Sequence, residues 1–323
     1  MTELRKHYFL DEYSLIAIER SRRPSDFKCE REELSGENCP FCPGNEEMTP
    51  PAQCFCKDGW MIEDSSEKII RSWNVRCFPN LYPALTPDSH DVIDDHWDKS
   101  RGFGFHEVIV ETPCHNRHPV DLSNEEIRLL FKVYADRVAY YYSKEGIKFV
   151  SLFRNFGKDA GASLSHPHTQ IICVPLIPPK FKRELSVINS KEVCPYCDVV
   201  TSETGSERFI AGNDDWISFA PFASRSPFEI WILPKKHTGN ITELEEDRLF
   251  SLGLMMRDML QRLNRLLGCP SYNYIFSQLD DENYHLNIRI KPKVTIPAGF
   301  EMSTDIFINT VSPENAAKYL REV

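Results

Sequence analysis

One pattern occurs twice in this chain, in the same order: a Cys-x-x-Cys, a strand ending near a histidine, a capped amphipathic helix, a strand, and a last strand carrying a second histidine. Cys39, Cys42, His115 and His166 mark the first copy; Cys194, Cys197, His237 and His285 mark the second. Self-similarity of this kind constrains architecture more than any single motif. In the first copy, residues 104–113 and 148–153 read as strands, and Ser123 with Glu126 forms a capping box. Ile127, Leu130, Phe131, Tyr134, Val138 and Tyr141 follow at helical spacing, and Gly146 ends the helix. In the second copy, Thr242 with Glu245 reads as the capping box. Leu249, Leu252, Met256, Met259, Leu263 and Leu266 give the helix, Gly268 ends it, and residues 272–277 are a strand. A chain of 323 residues exceeds one ordinary core. The expectation is therefore an α+β fold of two related halves, 1–182 and 183–323, each an antiparallel sheet with one principal helix. A first strand is expected over residues 8–20.

Two cysteines and two histidines form the closed tetrahedral donor set of structural zinc, and matching order in both halves argues against chance. Two Zn2+ ions are therefore expected. Buried thiols with core histidines are the alternative. Cys54 and Cys56 offer another completion for the first Cys-x-x-Cys, and a thioredoxin-like redox pair is disfavoured because no helix pattern follows Cys42. The first residues lack the apolar run of a signal peptide, so eleven cysteines point to thiols and metal ligands in a reducing, cytoplasmic setting. A net charge of −10 argues against nucleic acid or an anionic membrane as partner, and no apolar stretch reaches spanning length.

The halves differ at one position. Two residues beyond His166 stands His168; two beyond His285 stands Asn287. Side chains at i and i+2 of an extended segment share a face. The first half thus holds one histidine more than its metal set needs, a candidate nitrogen nucleophile. Gln170 lies on the same face and could hold a phosphoryl oxygen, as could Ser163, Asn155 and the glycine-bearing loop 154–162. Arg20-Ser21-Arg22-Arg23-Pro24 is either a solvated basic turn or a phosphate-contacting loop, since Arg presents a planar fork to phosphate oxygens.

The segment His166-Pro167-His168-Thr169-Gln170 resembles the His-Pro-His-x-Gln signature of the galactose-1-phosphate uridylyltransferase branch of the histidine-triad superfamily. The likeness runs from Arg20 to the C-terminus and implies two histidine-triad-like halves, commonly assembled as a homodimer. It further implies that His168 attacks the α-phosphorus of a nucleotide sugar, releasing a sugar 1-phosphate and leaving a nucleotidyl-histidine that a second sugar 1-phosphate then takes. By the same resemblance, Cys39, Cys42, His115 and His166 bind zinc, Gln170, Ser163 and Asn155 contact phosphate, Arg20 and Arg23 lie near the nucleotide phosphates, and Asn80 near the nucleotide. Gly299-Phe300-Glu301-Met302 is similar to the sugar-recognition segment, with Glu301 and, less closely, Asn309 as matches. Two features depart from it. Leu81 stands where typical uridylyltransferases have Asp. The second Cys-x-x-Cys, with His237 and His285, is more similar to the ADP-glucose phosphorylase branch, which passes an adenylyl group to inorganic phosphate. A histidine-triad-type hydrolase and a non-catalytic zinc-scaffolded binding module are the remaining readings.

Overall fold

The structure is a computed structural model and describes residues 2–20, 23–29, 36, 38–56, 59–65, 67–88, 92–93 and 99–323. Two compact units emerge: residues 34–154 with 164–179, and residues 1–33 with 155–163 and 180–323. The first 33 residues and the loop 155–163 cluster instead with the C-terminal unit.

In the N-terminal unit an antiparallel sheet runs in the order Met61–Glu63, Gln53–Phe55, Val75–Pro79, Phe105–Val110, His168–Val174, Phe149–Phe156. The helix Asn124–Tyr142 covers one face, and the six helically spaced residues named above are all buried. Complete burial of side chains such as Leu130 and Val138 contributes about 1.5–3 kcal/mol each. Ser123 caps the helix as expected: its Oγ accepts from Glu126 N–H, and the Glu126 carboxylate accepts from Ser123 N–H at 2.7 Å. Arg137 ties the helix to the sheet by donating to Glu107, which also accepts from the Tyr141 hydroxyl.

The C-terminal unit repeats this plan in the order Phe209–Gly212, Trp216–Phe219, Ile230–Pro234, Asn287–Pro292, Tyr272–Ser277, with the helix Glu246–Leu267 packed against the second and third of these strands. Matching strand orders in the two units establish the duplicated α+β arrangement. Of the expected helix face, Leu266 is only half-buried and Leu267 takes the inward position. The Thr242–Glu245 box is corrected. Asn240 and Glu243 form the box, on the short turn Ile241–Glu243, and Glu245 stands at the N-cap position of the long helix without a side-chain capping bond. Thr242 donates its N–H to Asn240 Oδ1 at 2.8 Å, which removes it from the helix start.

The expected strand over 8–20 is also revised. The chain forms a hairpin, Glu3–Lys6 with Tyr13–Ile16, to which Phe307–Asn309 adds in parallel. His7 Nδ1 accepts from the N–H groups of Phe9 and Leu10 and turns the chain before the second strand begins.

Candidate active site

The strand His168–Val174 sits between Phe105–Val110 and Phe149–Phe156. Its register places His168 opposite Val110, Gln170 opposite Val108 and Ile172 opposite His106. Alternation splits the strand. Thr169, Ile171 and Cys173 are fully buried, while Gln170, Ile172 and Val174 stay half-buried on the other face. Beneath His168, the Thr169 hydroxyl bonds both Glu111 and Tyr134, and Glu111 pairs with Arg154, whose other nitrogen donates to His118 Nδ1 at 3.0 Å. This closed polar network anchors the strand from below.

His168 is 6% exposed. Its Nδ1–H donates to the His166 carbonyl at 2.8 Å, which fixes the tautomer and leaves the Nε2 lone pair with no protein partner among the described residues. Burial, with the Arg154 charge, lowers its pKa to about 4, so the ring is neutral at pH 7. Phe41 packs edge-on against both His166 and His168, with ring centroids 6.1 and 5.4 Å apart, so the two histidines project to one side as their spacing predicts.

The second half shows what is lost. Asn287 Nδ2 donates to the His285 carbonyl at 3.1 Å, the counterpart of the His168 anchor, but its Oδ1 accepts from Arg289 Nε at 2.7 Å. Arg289, four residues after His285, donates to Glu184 and Tyr196 and stacks over Trp231. Both polar atoms of the Asn287 amide are thus engaged within the fold.

Both Cys2His2 sets assemble, one in each unit. In each, the four ligand atoms lie within 4.8 Å of one another. In the first, Cys42 Sγ is 3.3 Å from His115 Nδ1 and 3.5 Å from His166 Nδ1. In the second, Cys197 Sγ is 3.5 Å from His237 Nδ1 and 3.6 Å from His285 Nδ1. The outward nitrogens bond His166 to the Thr112 carbonyl, His115 to the Ser165 hydroxyl, His237 to the Glu282 carbonyl and His285 to the Pro234 carbonyl. Carbonyl acceptors on Nε2 turn the Nδ1 lone pairs inward, the orientation a metal requires. Burial and the neighbouring Cys39 raise the Cys42 thiol to about 11, and the same causes, with Cys194, raise Cys197 to about 12. Paired thiolates at this depth call for a cation between them. A Cβ at Gly36 would come 3.2 Å from Cys42 Sγ, so the backbone also closes tightly around the first set. Cys54 and Cys56 join neither set: Cys54 is buried opposite Arg76, and Cys56 lies near the Ser72 carbonyl.

The other expected residues scatter. Asn80 is half-buried at the end of Val75–Pro79 and borders His106. Asn155 and Ser163 belong to the loop that clusters with the C-terminal unit; Asn155 Oδ1 accepts from Asn273 at 2.8 Å, and Ser163 is exposed. Arg23 is exposed and Asp26 accepts from its N–H, while Arg22 and the Arg20 side chain lie outside the described residues. Glu301 caps the helix Gly299–Thr304 by accepting from Ala298 N–H. Asn309 is buried, with its NH2 on the Ser224 and Ser226 carbonyls and its Oδ1 on Val311 N–H, so its amide is fully engaged by backbone.

Sequence reasoning missed His106. Its Nε2 lies 2.8 Å from Gln170 Oε1, and its Nδ1 accepts from Ala84 N–H at 3.2 Å. Only the strand register brings it there. A cavity of about 430 Å3 adjoins Asn80 and His106, but Gln53, Glu107, Arg137 and Tyr141 wall it on the helix-covered face. His168 does not line it, so the cavity is separate from that histidine.

A family model for the N-terminal domain of galactose-1-phosphate uridyl transferase matches residues 1–178, and a domain of unknown function matches residues 116–322. An ADP-glucose phosphorylase from Arabidopsis thaliana is 31% identical, over 99% of this chain and 93% of its own. A galactose-1-phosphate uridylyltransferase from Thermotoga maritima is 27% identical, over 100% and 98%. Among solved structures, the Arabidopsis ADP-glucose phosphorylase with bound ADP-glucose superposes with a TM-score of 0.82 at 28% identity, covering 100% of this chain and 99% of that one. A uridylyltransferase structure gives 0.76 at 26% identity, covering 100% and 98%.

Proposed function

The chain belongs to the galactose-1-phosphate uridylyltransferase family, and from that membership we propose that it transfers a nucleoside monophosphate from a nucleotide sugar to a hexose 1-phosphate through a covalent bond to His168. The observation that carries this reading is the His168 ring: neutral, anchored through Nδ1–H, its Nε2 lone pair unpaired. In the first step Nε2 attacks the α-phosphorus; the P–N bond forms, the P–O bond to the β-phosphate breaks, and sugar 1-phosphate leaves. In the second, a phosphate oxygen of the acceptor attacks the same phosphorus and the P–N bond breaks. Gln170, on the face of His168, offers N–H donors to the phosphoryl oxygens. Asn155, Ser163, Arg20 and Arg23 are proposed to add phosphate contacts, and Glu301 sugar contacts. Each Cys2His2 set would hold a Zn2+ ion, which would fix its strands in place and take no part in the transfer.

A second reading has its own support. The second set is made of Cys194, Cys197, His237 and His285, and the Arabidopsis relative named an ADP-glucose phosphorylase is 31% identical. Both favour an adenylyl group and inorganic phosphate as its acceptor. The deciding experiment incubates the protein with UDP-glucose, UDP-galactose or ADP-glucose without acceptor, then reads the intact mass and maps the labelled peptide. A uridylyl adduct on His168 supports the transferase, and an adenylyl adduct there supports the phosphorylase. With metal content intact, no adduct from any of the three donors overturns both.

A further inference from the structure

We propose that His106 is a positioning residue: it holds the side-chain amide of Gln170 so that its NH2 faces the phosphoryl group of the nucleotide. This rests on the nucleotidyl-transfer reading above for its substrate, but the bonding that carries it stands in the protein alone. Ala84 N–H donates to His106 Nδ1, which must therefore be the unprotonated nitrogen. In the neutral ring Nε2 then carries the proton. Nε2–H lies 2.8 Å from Gln170 Oε1 and donates to it. The opposite amide orientation would set NH2 against N–H, two donors face to face. One backbone N–H thus decides, through the imidazole, which way the Gln170 amide points.

The consequence lies in what remains unpaired. Gln170 is half-buried, its oxygen is engaged by His106, and its NH2 has no acceptor among the described residues. Asn80 repeats the arrangement: its Oδ1 accepts from Tyr82 N–H at 2.9 Å, and its NH2 approaches the same His106 nitrogen at 3.2 Å. That nitrogen already carries a proton, so the Asn80 NH2 finds no oxygen acceptor among the described residues either. Two amides pinned by their oxygens leave N–H donors on either side of one ring. Such donors suit phosphoryl oxygens and add no positive charge to the site. Strand pairing puts His106 opposite Ile172, diagonal to Gln170, a separation that two long side chains span.

The test combines kinetics with a spectroscopic signature. Formation of the nucleotidyl-enzyme is timed, with whichever donor labels it, in the wild type, His106→Ala, Gln170→Ala and the double variant, each checked for folding by thermal melting. His106→Ala is expected to slow adduct formation about 10- to 100-fold, the effect of a misplaced contact. In the Gln170→Ala background the same change should slow it less than about 3-fold, because there is no amide left to position. His106→Gln, which keeps a donor, should recover most of the rate. Equal losses in both backgrounds, or no loss in either, would overturn the proposal. Separately, 15N shifts of the His106 ring, measured without substrate, should report protonated Nε2, and this signal should change in Gln170→Ala. A ring protonated on Nδ1 refutes the assignment even if catalysis is intact. A wild type that forms no adduct defeats the transfer reading, while the ring signature still decides on the His106–Gln170 bond.

Discussion

At the scale of single residues, the comparison of His168 with Asn287 isolates the chemistry. Both side chains donate to the carbonyl two residues back, so the backbone holds them alike. They differ in the atom left over: an unpaired ring nitrogen in one, an oxygen committed to Arg289 in the other. His168→Asn should therefore fold normally, with a Tm within about 2 °C of the wild type, yet lose adduct formation at least about 1,000-fold. Retained labelling in that variant, seen by intact mass, would place the nucleophile elsewhere. The eight metal-binding candidates were legible in the sequence because they recur in matching order in both halves, and His168 stood out because it departs from that repeat, Asn287 taking its place in the second half. His106 was not. Its partner Gln170 is 64 residues away, and only cross-strand register joins them.

At the scale of elements, helix starts separate what local sequence decides from what tertiary context decides. Ser123 and Glu126 satisfy each other's backbone donors, as the local pattern requires. Ser123→Ala should cost about 1 kcal/mol, read as a shift of about 2 °C in Tm with unchanged activity. No shift would mean that the helix start is held by packing alone. Thr242 and Glu245 carry the same letters but not the same structure. Asn240, two residues earlier, takes the cap; its Nδ2 also donates to the Leu279 carbonyl, which fixes it before Thr242 can act. That competing bond runs 39 residues along the chain, so no local reading contains it. The expected first strand failed for a related reason: His7 bonds its own neighbours' N–H groups and folds the chain into a hairpin.

At the scale of the whole molecule, duplication gives two candidate metal sets and one histidine beyond them, the proposed nucleophile His168. Each set lies wholly in one unit, so the sets should be lost one at a time. Cys42→Ser and Cys197→Ser should each lower bound metal from about two ions per chain to about one, measured by elemental analysis, because a closed four-ligand site needs all its ligands. Loss of both ions in either variant would contradict independent sets. The C-terminal unit also uses its counterpart of the His168 face for packing: His7 and Tyr8 lie against Trp231, and Phe9 against Tyr196. This closure has a pH signature. Burial first, then the charges of Arg289, Arg225 and Lys180, lower the His7 pKa to about 3 against an ordinary 6.5, with Glu184 opposing. As pH falls from 6.5 the unfolded chain takes up this proton while the folded chain does not, so stability contributed by neutral His7 is present above 6.5 and declines toward 3. His7→Asn keeps an acceptor for the Phe9 and Leu10 N–H groups but cannot titrate. Its Tm should therefore fall less steeply than that of the wild type between pH 6.5 and 4.5. Parallel curves would show that His7 gains its proton as readily in the folded chain as in the unfolded one, and that the N-terminal segment does not close that face.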